Sequence, residues 1–139
     1  MSKKVMVFGT FDPLHPGHLN YFEQAKKEGD YLIVVVARDK TIREEKGREP
    51  AQTEEERLKK IKELKIADKV VLGDQKDKLK VVKEENPDVL CLGYDQNVDE
   101  DILRNKLKEI GLEPEIKRMK PFKPEKYKSS KLREKQLNK

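Results

Sequence analysis

The sequence predicts an α/β fold in which a parallel sheet carries helices on both faces. Three observations support this prediction. Short apolar runs alternate with helical patterns along the chain, and the run over residues 31–37 (YLIVVVA) is unbroken, as in strands buried on both sides. The length of 139 residues also suits a single domain. Helices between successive strands act as crossovers, so the alternation indicates parallel rather than antiparallel pairing.

Each element follows from a local pattern. Strands are expected where apolar runs stop at turn signals: 4–8, 31–37, 69–72, 89–92 and, at one edge, 115–119. Helices are expected where apolar residues recur at helical spacing: 16–27, 53–65, 76–85, 99–110 and a short one near 130–137. Thr53 and Glu56 form a capping-box pattern, and Gly111 stands where a helix would stop. Residues 38–52 are polar and contain Gly47 and Pro50, which predicts a mobile loop.

Composition excludes several classes of protein. The one cysteine, Cys91, excludes an intrachain disulfide framework and a multi-cysteine zinc site, and its apolar neighbours predict a buried small side chain. No apolar run approaches the ~20 residues of a membrane span. The N-terminus runs directly into the first strand without a leader pattern. We therefore expect a cytoplasmic protein with no membrane partner.

The net charge of +5 hides an asymmetry along the chain. Residues 117–139 carry ten basic and two acidic side chains, whereas the first 116 residues carry 22 basic and 25 acidic ones. Such a tail can bind nucleic acid or a polyphosphate, or it can simply be solvated surface. Aromatic residues make up only 6% of the chain and offer few platforms for stacking bases, so we expect no nucleic-acid partner.

The turn between the first strand and the first helix, residues 9–18 (GTFDPLHPGH), is the most informative stretch. Open α/β folds bind ligands at the carboxyl ends of strands, beside helix N-termini. The stretch lacks the three glycines of a dinucleotide fingerprint and the Gly-Lys-Ser/Thr of a Walker A loop. It contains both histidines of the protein, His15 and His18, at helical spacing.

Three interpretations of this histidine pair are open. The residues could cap or pack the helix start without any chemical role. They could bind a metal, although two ligands without a third make a poor zinc site, so no residue is assigned to a metal. Finally, imidazole N–H groups and free helix N–H groups could bind phosphate oxygens as negative charge develops on them. We favour the third interpretation.

Gly9-Thr10-Phe11-Asp12 followed by His15-Pro16-Gly17-His18 resembles the signature of the cytidylyltransferase-like nucleotidyltransferases, which transfer a nucleotide and release pyrophosphate. The resemblance implies a Rossmann-like sheet in the order 3-2-1-4-5. Relatives that adenylylate phosphopantetheine usually carry threonine where His15 stands. Three further segments are similar to archaeal FAD synthases, which join FMN to ATP: 35–39 (VVARD), 46–48 (KGR) and 92–96 (LGYDQ).

The resemblance also implies roles for individual residues. His15 and His18 would be catalytic and contact the ATP phosphates, while Mg²⁺ would accompany the nucleotide. The other nucleotide-binding residues implied are Gly9, Thr10, Phe11, Pro16, Gly17, Asp95, Ser129 and Ser130. Asp95 is equally interpretable as a cap of the helix that follows it. Lys46 would bind the acceptor phosphate, with solvated surface as the alternative. Residues 117–139 would complete the site of one domain spanning 1–139.

Three functions are compatible with these residues. The first is an FMN adenylyltransferase with ATP and FMN as substrates. The second is a cytidylyltransferase that acts on glycerol 3-phosphate or a similar phosphorylated alcohol with CTP. The third is a non-catalytic module that binds RNA or nucleotides through the basic tail, which would show steeply salt-dependent binding. The resemblance allows a homodimer, for which the sequence offers no specific signal.

Overall fold

The computed structural model describes residues 3–77, 79–94, 96 and 98–120. Five strands form one sheet in the order β3-β2-β1-β4-β5, and every neighbouring pair is parallel. The strands are β1 Lys4–Gly9, β2 Tyr31–Val36, β3 Lys69–Leu72, β4 Val89–Leu92 and β5 Glu115–Arg118. The helices are α1 Pro16–Lys26, α2 Asp39–Lys46, α3 Glu54–Glu63, α4 Lys80–Glu85 and α5 Glu100–Glu109. The predicted fold class and strand order are confirmed.

The burial of each strand agrees with its place in the sheet. In β2, the five residues after Tyr31 are all buried, so this strand pairs on both edges and is covered on both faces. β1 is also central and pairs with β2 and β4. By contrast, β5 at one edge contains no fully buried residue. Unbroken apolar runs therefore occupy the centre of the sheet, and the more polar strand lies at its edge.

Helices cover the two faces of the sheet and enclose two apolar cores. In the first core, Phe22 of α1 and Ile61 of α3 pack against one side of the strands, which includes Val5 and Val7 of β1. The second core joins Val82 of α4 and Leu107 of α5 to the opposite side, including Met6. Alternate residues of β1 thus point to opposite cores, as the pleat of a strand requires.

The prediction of a mobile loop over residues 38–52 is wrong, because residues 39–46 form α2. Only Ile42 of this helix is buried, so no apolar periodicity indicates it. Its first turn is instead held by α3: the Glu54 carboxylate accepts hydrogen bonds from the Asp39 backbone N–H (3.0 Å) and from Arg38 (2.7 Å). Gly47 ends the helix with a left-handed φ of 64°, a conformation that glycine adopts without strain.

The fourth helix begins at Lys80 and not at Lys76 as expected. The Asp74 carboxylate accepts hydrogen bonds from the backbone N–H groups of Lys76 (2.9 Å) and Asp77 (2.8 Å), and this local turn competes with helix formation. The expected cap of α3 is present, since Thr53 Oγ1 accepts from the Glu56 N–H at 3.2 Å. The helix expected near residues 130–137 lies outside the described residues.

Within the described ranges, no helix has the length and apolar character needed to cross a membrane.

Candidate functional site

A cleft of about 1040 Å³ opens at the carboxyl edge of the sheet. Its lining includes the turn after β1, the end of α2, the turn after β4 and the start of α5. β1 and β4 are adjacent in the sheet although six other elements of the chain separate them, so the sheet reverses its winding between them. Parallel α/β sheets bind their ligands at this reversal. The structure therefore brings the two turns singled out in the sequence to one cleft.

The histidine pair forms the start of α1. His15 is the N-cap residue, and its Nδ1 accepts a hydrogen bond from the Gly17 backbone N–H at 3.0 Å. The Nδ1 atom of His18 accepts from the His15 backbone N–H at 3.2 Å. Two N–H groups that would otherwise lack a partner at the helix start are thereby satisfied. The two rings stack with their centroids 3.8 Å apart.

These hydrogen bonds determine which nitrogen of each histidine ring carries the proton. An Nδ1 that accepts a hydrogen bond carries no proton, so the proton of the neutral ring is on Nε2. Each histidine thus uses Nδ1 as an acceptor within the helix start, and its Nε2 carries the proton. The structural interpretation and the functional interpretation of the pair are compatible, because they use different atoms of the same rings.

His18 is held neutral by its surroundings. Burial, together with the smaller effects of the nearby His15 and Lys46, lowers its pKa to about 3. The Phe11 and His18 rings are almost perpendicular, at 85°, with 5.1 Å between their centroids. Phe11 in turn packs against Phe22 of α1. His18 is therefore a partly buried hydrogen-bond donor that packs against Phe11, and it is not a cation at neutral pH.

Gly9 and Phe11 form one local unit. Phe11 is 3% exposed and adopts a left-handed φ of 53°, which folds its ring back over the end of β1. A Cβ at Gly9 would lie 2.4 Å from the Phe11 ring, so only glycine leaves room for it. Thr10 and Gly17 also line the cleft, whereas Pro16 is exposed in the first turn of α1 and is absent from the lining described.

Lys46, the last residue of α2, lines the cleft and lies close enough to His18 to lower its pKa. The position of α2 depends on Arg57, a residue that sequence reasoning did not single out. Arg57 is 1% exposed and donates to the backbone carbonyls of Thr10 (2.9 Å) and Ala37 (2.7 Å). It also pairs with the Asp39 carboxylate in the first turn of α2, at 2.7 Å. One buried guanidinium thus joins the turn after β1 to α2.

Asp12 fastens the segment that follows α2. Its carboxylate is fully buried and accepts from the backbone N–H groups of Ala51 (2.8 Å) and Gln52 (3.0 Å) and from Arg48 Nη1 (3.2 Å). Arg48 lines the cleft. Its other terminal nitrogen, Nη2, is buried and has no hydrogen-bond partner within the part of the chain that the structure describes. Such a nitrogen needs an acceptor from elsewhere.

The turn after β4 is held by two residues that the sequence analysis did not assign. Gln96 Nε2 donates to the Phe8 carbonyl of β1 at 2.6 Å, while its Oε1 accepts from the Gly93 N–H at 3.0 Å. Arg118 of β5 donates to the carbonyls of Gly93 (2.9 Å), Gln96 (2.8 Å) and Val98 (2.9 Å). The predicted contact residue Asp95 lies outside the described residues, as do Ser129 and Ser130.

The described beginning of the basic segment is engaged in ion pairs. Lys117 pairs with Glu28 (2.5 Å) and Glu115 (3.6 Å), and Arg118 with Glu100 (3.4 Å).

Cys91 of β4 is fully buried, and burial raises its pKa to about 12, as expected for a packed thiol. Among the described residues, no group of three or more His, Cys, Asp or Glu could hold a metal ion.

The fold and the site together indicate an α/β nucleotidyltransferase, because the histidine pair starts α1 beside a cleft where the parallel sheet reverses its winding. Residues 6–135 match the cytidylyltransferase-like family model. The chain belongs to the cytidylyltransferase-like family. The resemblance deduced from the turn after β1 is thus confirmed over almost the whole chain.

Two relatives are FAD synthases. That of Ferroglobus placidus is 44% identical over 118 residues, which cover 85% of this chain and 76% of that protein. That of Thermoplasma volcanium is 43% identical over 132 residues, covering 95% and 92% respectively. The crystal structure of a protein from Thermoplasma volcanium described as a lipopolysaccharide core biosynthesis protein is 43% identical, with a TM-score of 0.84 over 88% of this chain and 99% of its own. Pantoate-beta-alanine ligase from Francisella tularensis shares the fold alone, with 15% identity and a TM-score of 0.63 over 85% of this chain and 59% of its own.

Proposed function

We propose that this protein transfers the AMP moiety of ATP to FMN and forms FAD and pyrophosphate. Identity of about 44% to FAD synthases over most of the chain supports these substrates. The observation that carries the reaction class is the histidine pair, whose Nδ1 atoms are both occupied by backbone N–H groups. Two neutral donors at a helix N-terminus suit an anionic group that gains charge during reaction.

The reaction joins two anions and needs no general base. A phosphate oxygen of FMN, already ionised at neutral pH, attacks the α-phosphorus of ATP. The bond from that phosphorus to the oxygen bridging to the β-phosphate breaks, and pyrophosphate leaves with the electron pair. The protein must align the attacking and leaving oxygens and stabilise charge on the oxygens of the α-phosphate.

His15 and His18 provide that stabilisation in the proposed mechanism. Because the His18 pKa is lowered to about 3, the ring donates a hydrogen bond without having to lose or gain a proton near neutral pH. The stacked rings and the Nδ1 hydrogen bonds orient both donors before substrate binds. Thr10, Phe11 and the backbone at Gly9 and Gly17 would form the surface around the nucleotide phosphates.

Two cations suit the acceptor phosphate. Lys46 approaches the histidine pair from α2, and Arg48 has a buried Nη2 that lacks a partner among the described residues. The Asp12 carboxylate holds Nη1 of the same guanidinium, so Arg48 is oriented before the ligand arrives. Together they would offset the repulsion between FMN and ATP. ATP would enter as its Mg²⁺ complex, with the metal carried on phosphate oxygens, where it neutralises charge on the leaving pyrophosphate.

The remaining assignments belong to the same proposal. Asp95 would contact the ribose or base of the nucleotide, and Pro16, in the first turn of α1, would lie beside the nucleotide. Ser129 and Ser130 would bind the β- and γ-phosphates, so that residues 117–139 complete the site of a single domain. We place the reaction in the cytoplasm, where both substrates occur. The proposed assembly is a homodimer, which a measurement of the oligomeric state tests.

The test is to incubate the protein with FMN, ATP and Mg²⁺ and to separate FAD and pyrophosphate by chromatography. We expect His18→Ala to lower the turnover rate by a factor of about 10²–10³, the usual cost of removing one oriented donor. His18→Asn is the matched variant, because its side-chain oxygen can still accept the His15 N–H while the donor is displaced. The exposed Arg104→Met variant serves as the unaffected control.

Each outcome has a distinct meaning. FAD formed by the wild type and lost in both His18 variants, with circular dichroism unchanged, supports the reaction and the site together. Full turnover in His18→Ala would show that His18 has no role in the mechanism. If no FAD forms and the protein instead consumes CTP and glycerol 3-phosphate, the nucleotidyl-transfer mechanism stands but the proposed substrates are wrong.

A further inference from the structure

We propose that Gln96 and Arg118 are positioning residues for the nucleotide, because together they hold the turn after β4 at a fixed place beside the end of β1. We term these two side chains the β4 clamp. The inference rests on the proposed function, in which one nucleotide contacts the histidine pair through its phosphates and the turn after β4 through its ribose or base.

The pairing of β1 with β4 stops before either strand ends. The last pair in this ladder is Val7 and Cys91. Both strands run further, β1 beside β2 as far as Gly9 and β4 beside β5 as far as Leu92. Among the described residues, β1 and β4 have no register pair beyond Val7 and Cys91. Side chains must therefore set how the two strand ends lie relative to each other at the cleft.

The Gln96 side chain bridges the two strands beyond their last register pair. Its Nε2 donates to the Phe8 carbonyl of β1 at 2.6 Å, and its Oε1 accepts from the N–H of Gly93, the residue after β4, at 3.0 Å. A carbonyl can only accept and an N–H can only donate, so these partners determine the orientation of the amide. One planar group thus carries a donor and an acceptor at a fixed separation and acts as a spacer between two backbones.

Arg118 holds the same turn from the side of β5. Its Nη1 donates to the carbonyls of Gly93 (2.9 Å) and Gln96 (2.8 Å), and its Nη2 donates to the carbonyl of Val98 (2.9 Å). A guanidinium presents its donors in a rigid fork, which the single ammonium of lysine does not reproduce. Arg118 is absent from the lining that the described residues give the cleft, so its effect on a ligand must pass through the turn.

The β4 clamp fixes a distance that matters for the proposed reaction. A ligand held at two anchors gains affinity, because binding at one anchor raises the effective concentration of its other part at the second anchor. A misplacement of about 1 Å can also cost a factor of about 10² in rate. Loosening the turn should therefore weaken nucleotide binding and misalign the α-phosphorus. The acceptor phosphate, which the proposed function places at Lys46 of α2, should be unaffected.

Steady-state FAD synthesis tests the β4 clamp, with the KM measured separately for ATP and for FMN. In Arg118→Met and in Gln96→Leu, we expect the KM for ATP to rise about tenfold and the turnover rate to fall by up to a factor of about 10². The KM for FMN should stay unchanged in both variants, a selectivity that general destabilisation of the fold would not produce. Arg118→Lys keeps the charge without the fork and should resemble Arg118→Met.

Glu100→Gln is the matched control. It removes the ion pair between Arg118 and Glu100 (3.4 Å) and leaves the carbonyl contacts of the guanidinium in place, so we expect wild-type kinetics. All rates are measured well below the melting temperature of each variant, recorded by circular dichroism. If Arg118→Met does not fold, Arg118→Lys decides in its place.

Three results would overturn the proposal while the proposed function stands. The first is an unchanged KM for ATP in both Arg118→Met and Gln96→Leu. The second is an equal rise in the KM for ATP and for FMN, which would indicate a purely structural role. The third is normal kinetics in Arg118→Met beside an impaired Gln96→Leu, because Gln96 lines the cleft and would then act by direct contact. Wild-type protein that forms no FAD would instead overturn the proposed function, and the affinity for ATP, measured by calorimetry in the same variants, would then decide on the clamp.

Discussion

Replacing Arg57 by methionine should destabilise the fold far more than replacing any exposed arginine. The Arg57 side chain is fully buried and donates to three backbone carbonyls, those of Thr10, Ala37 and Gln52, and to the Asp39 carboxylate. Methionine has a similar length but no donor. The variant therefore keeps much of the packing and removes every hydrogen bond of the guanidinium.

The magnitude follows from the partners left behind. Breaking a buried ion pair by removing one partner costs about 3–5 kcal/mol, because the other charge stays without compensation. The three carbonyls each lose a charge-assisted hydrogen bond, but Asp39 keeps some solvent contact at 18% side-chain exposure, so we expect a value inside that range. At roughly 2–4 °C per kcal/mol for a chain of this size, the melting temperature should fall by roughly 10 °C.

Urea denaturation of Arg57→Met beside Arg104→Met measures this difference. Arg104 pairs with Asp101 at 3.2 Å on the surface of α5, with side-chain exposures of 43% and 91%, and such pairs contribute only about 0.5 kcal/mol. The double variant Arg57→Met/Asp39→Asn should regain part of the loss, since the uncompensated carboxylate is gone. If Arg57→Met loses no more stability than Arg104→Met, the assignment of a structural role to Arg57 is incorrect.

Two further predictions concern buried groups. Because the folded-state pKa of His18 is lowered from 6.5 to about 3, the unfolded chain binds the proton first, and stability present above pH 6.5 is lost as pH falls toward 3. Urea titrations at pH 7 and pH 4 should therefore show a larger loss of stability in wild type than in His18→Asn, and equal losses would contradict a His18 ring that stays neutral in the folded protein. Cys91, with its pKa raised to about 12 and no exposed surface, should resist a thiol reagent at pH 8 until urea unfolds the chain. Rapid labelling of the native protein would refute that packing.

The sheet was predictable because its signal is local. A continuous apolar run such as 31–37 can only be buried on both faces, and the structure forms β2 over Tyr31–Val36 within it. The strand order was not predictable from pattern alone and came from the family resemblance. α2 was missed because Ile42 is its one buried residue and Glu54, which lies in the next helix, holds its start.

The site was predictable in part for a similar physical reason. The location of His15 and His18 at the end of the first strand follows from the order of elements, and the structure adds that both rings cap α1. Arg57 and Arg118 have weak sequence signals in a chain with 42% charged residues. Arg57 precedes Ile61 by four positions, so helical register places it on the buried face of α3, and this was the one available indication.

The two roles of the histidine rings restrict which residues can replace them. Lysine and arginine would bring more positive charge to a phosphate, but neither side chain has an acceptor, so neither could take the backbone N–H groups at the start of α1. In the proposed mechanism, a suitable residue at position 15 must accept on one side and donate on the other. Threonine, which the phosphopantetheine-adenylylating relatives usually carry there, has one hydroxyl that does both. The residue at this turn is thus selected first for its ability to accept and donate hydrogen bonds, and only then for its charge.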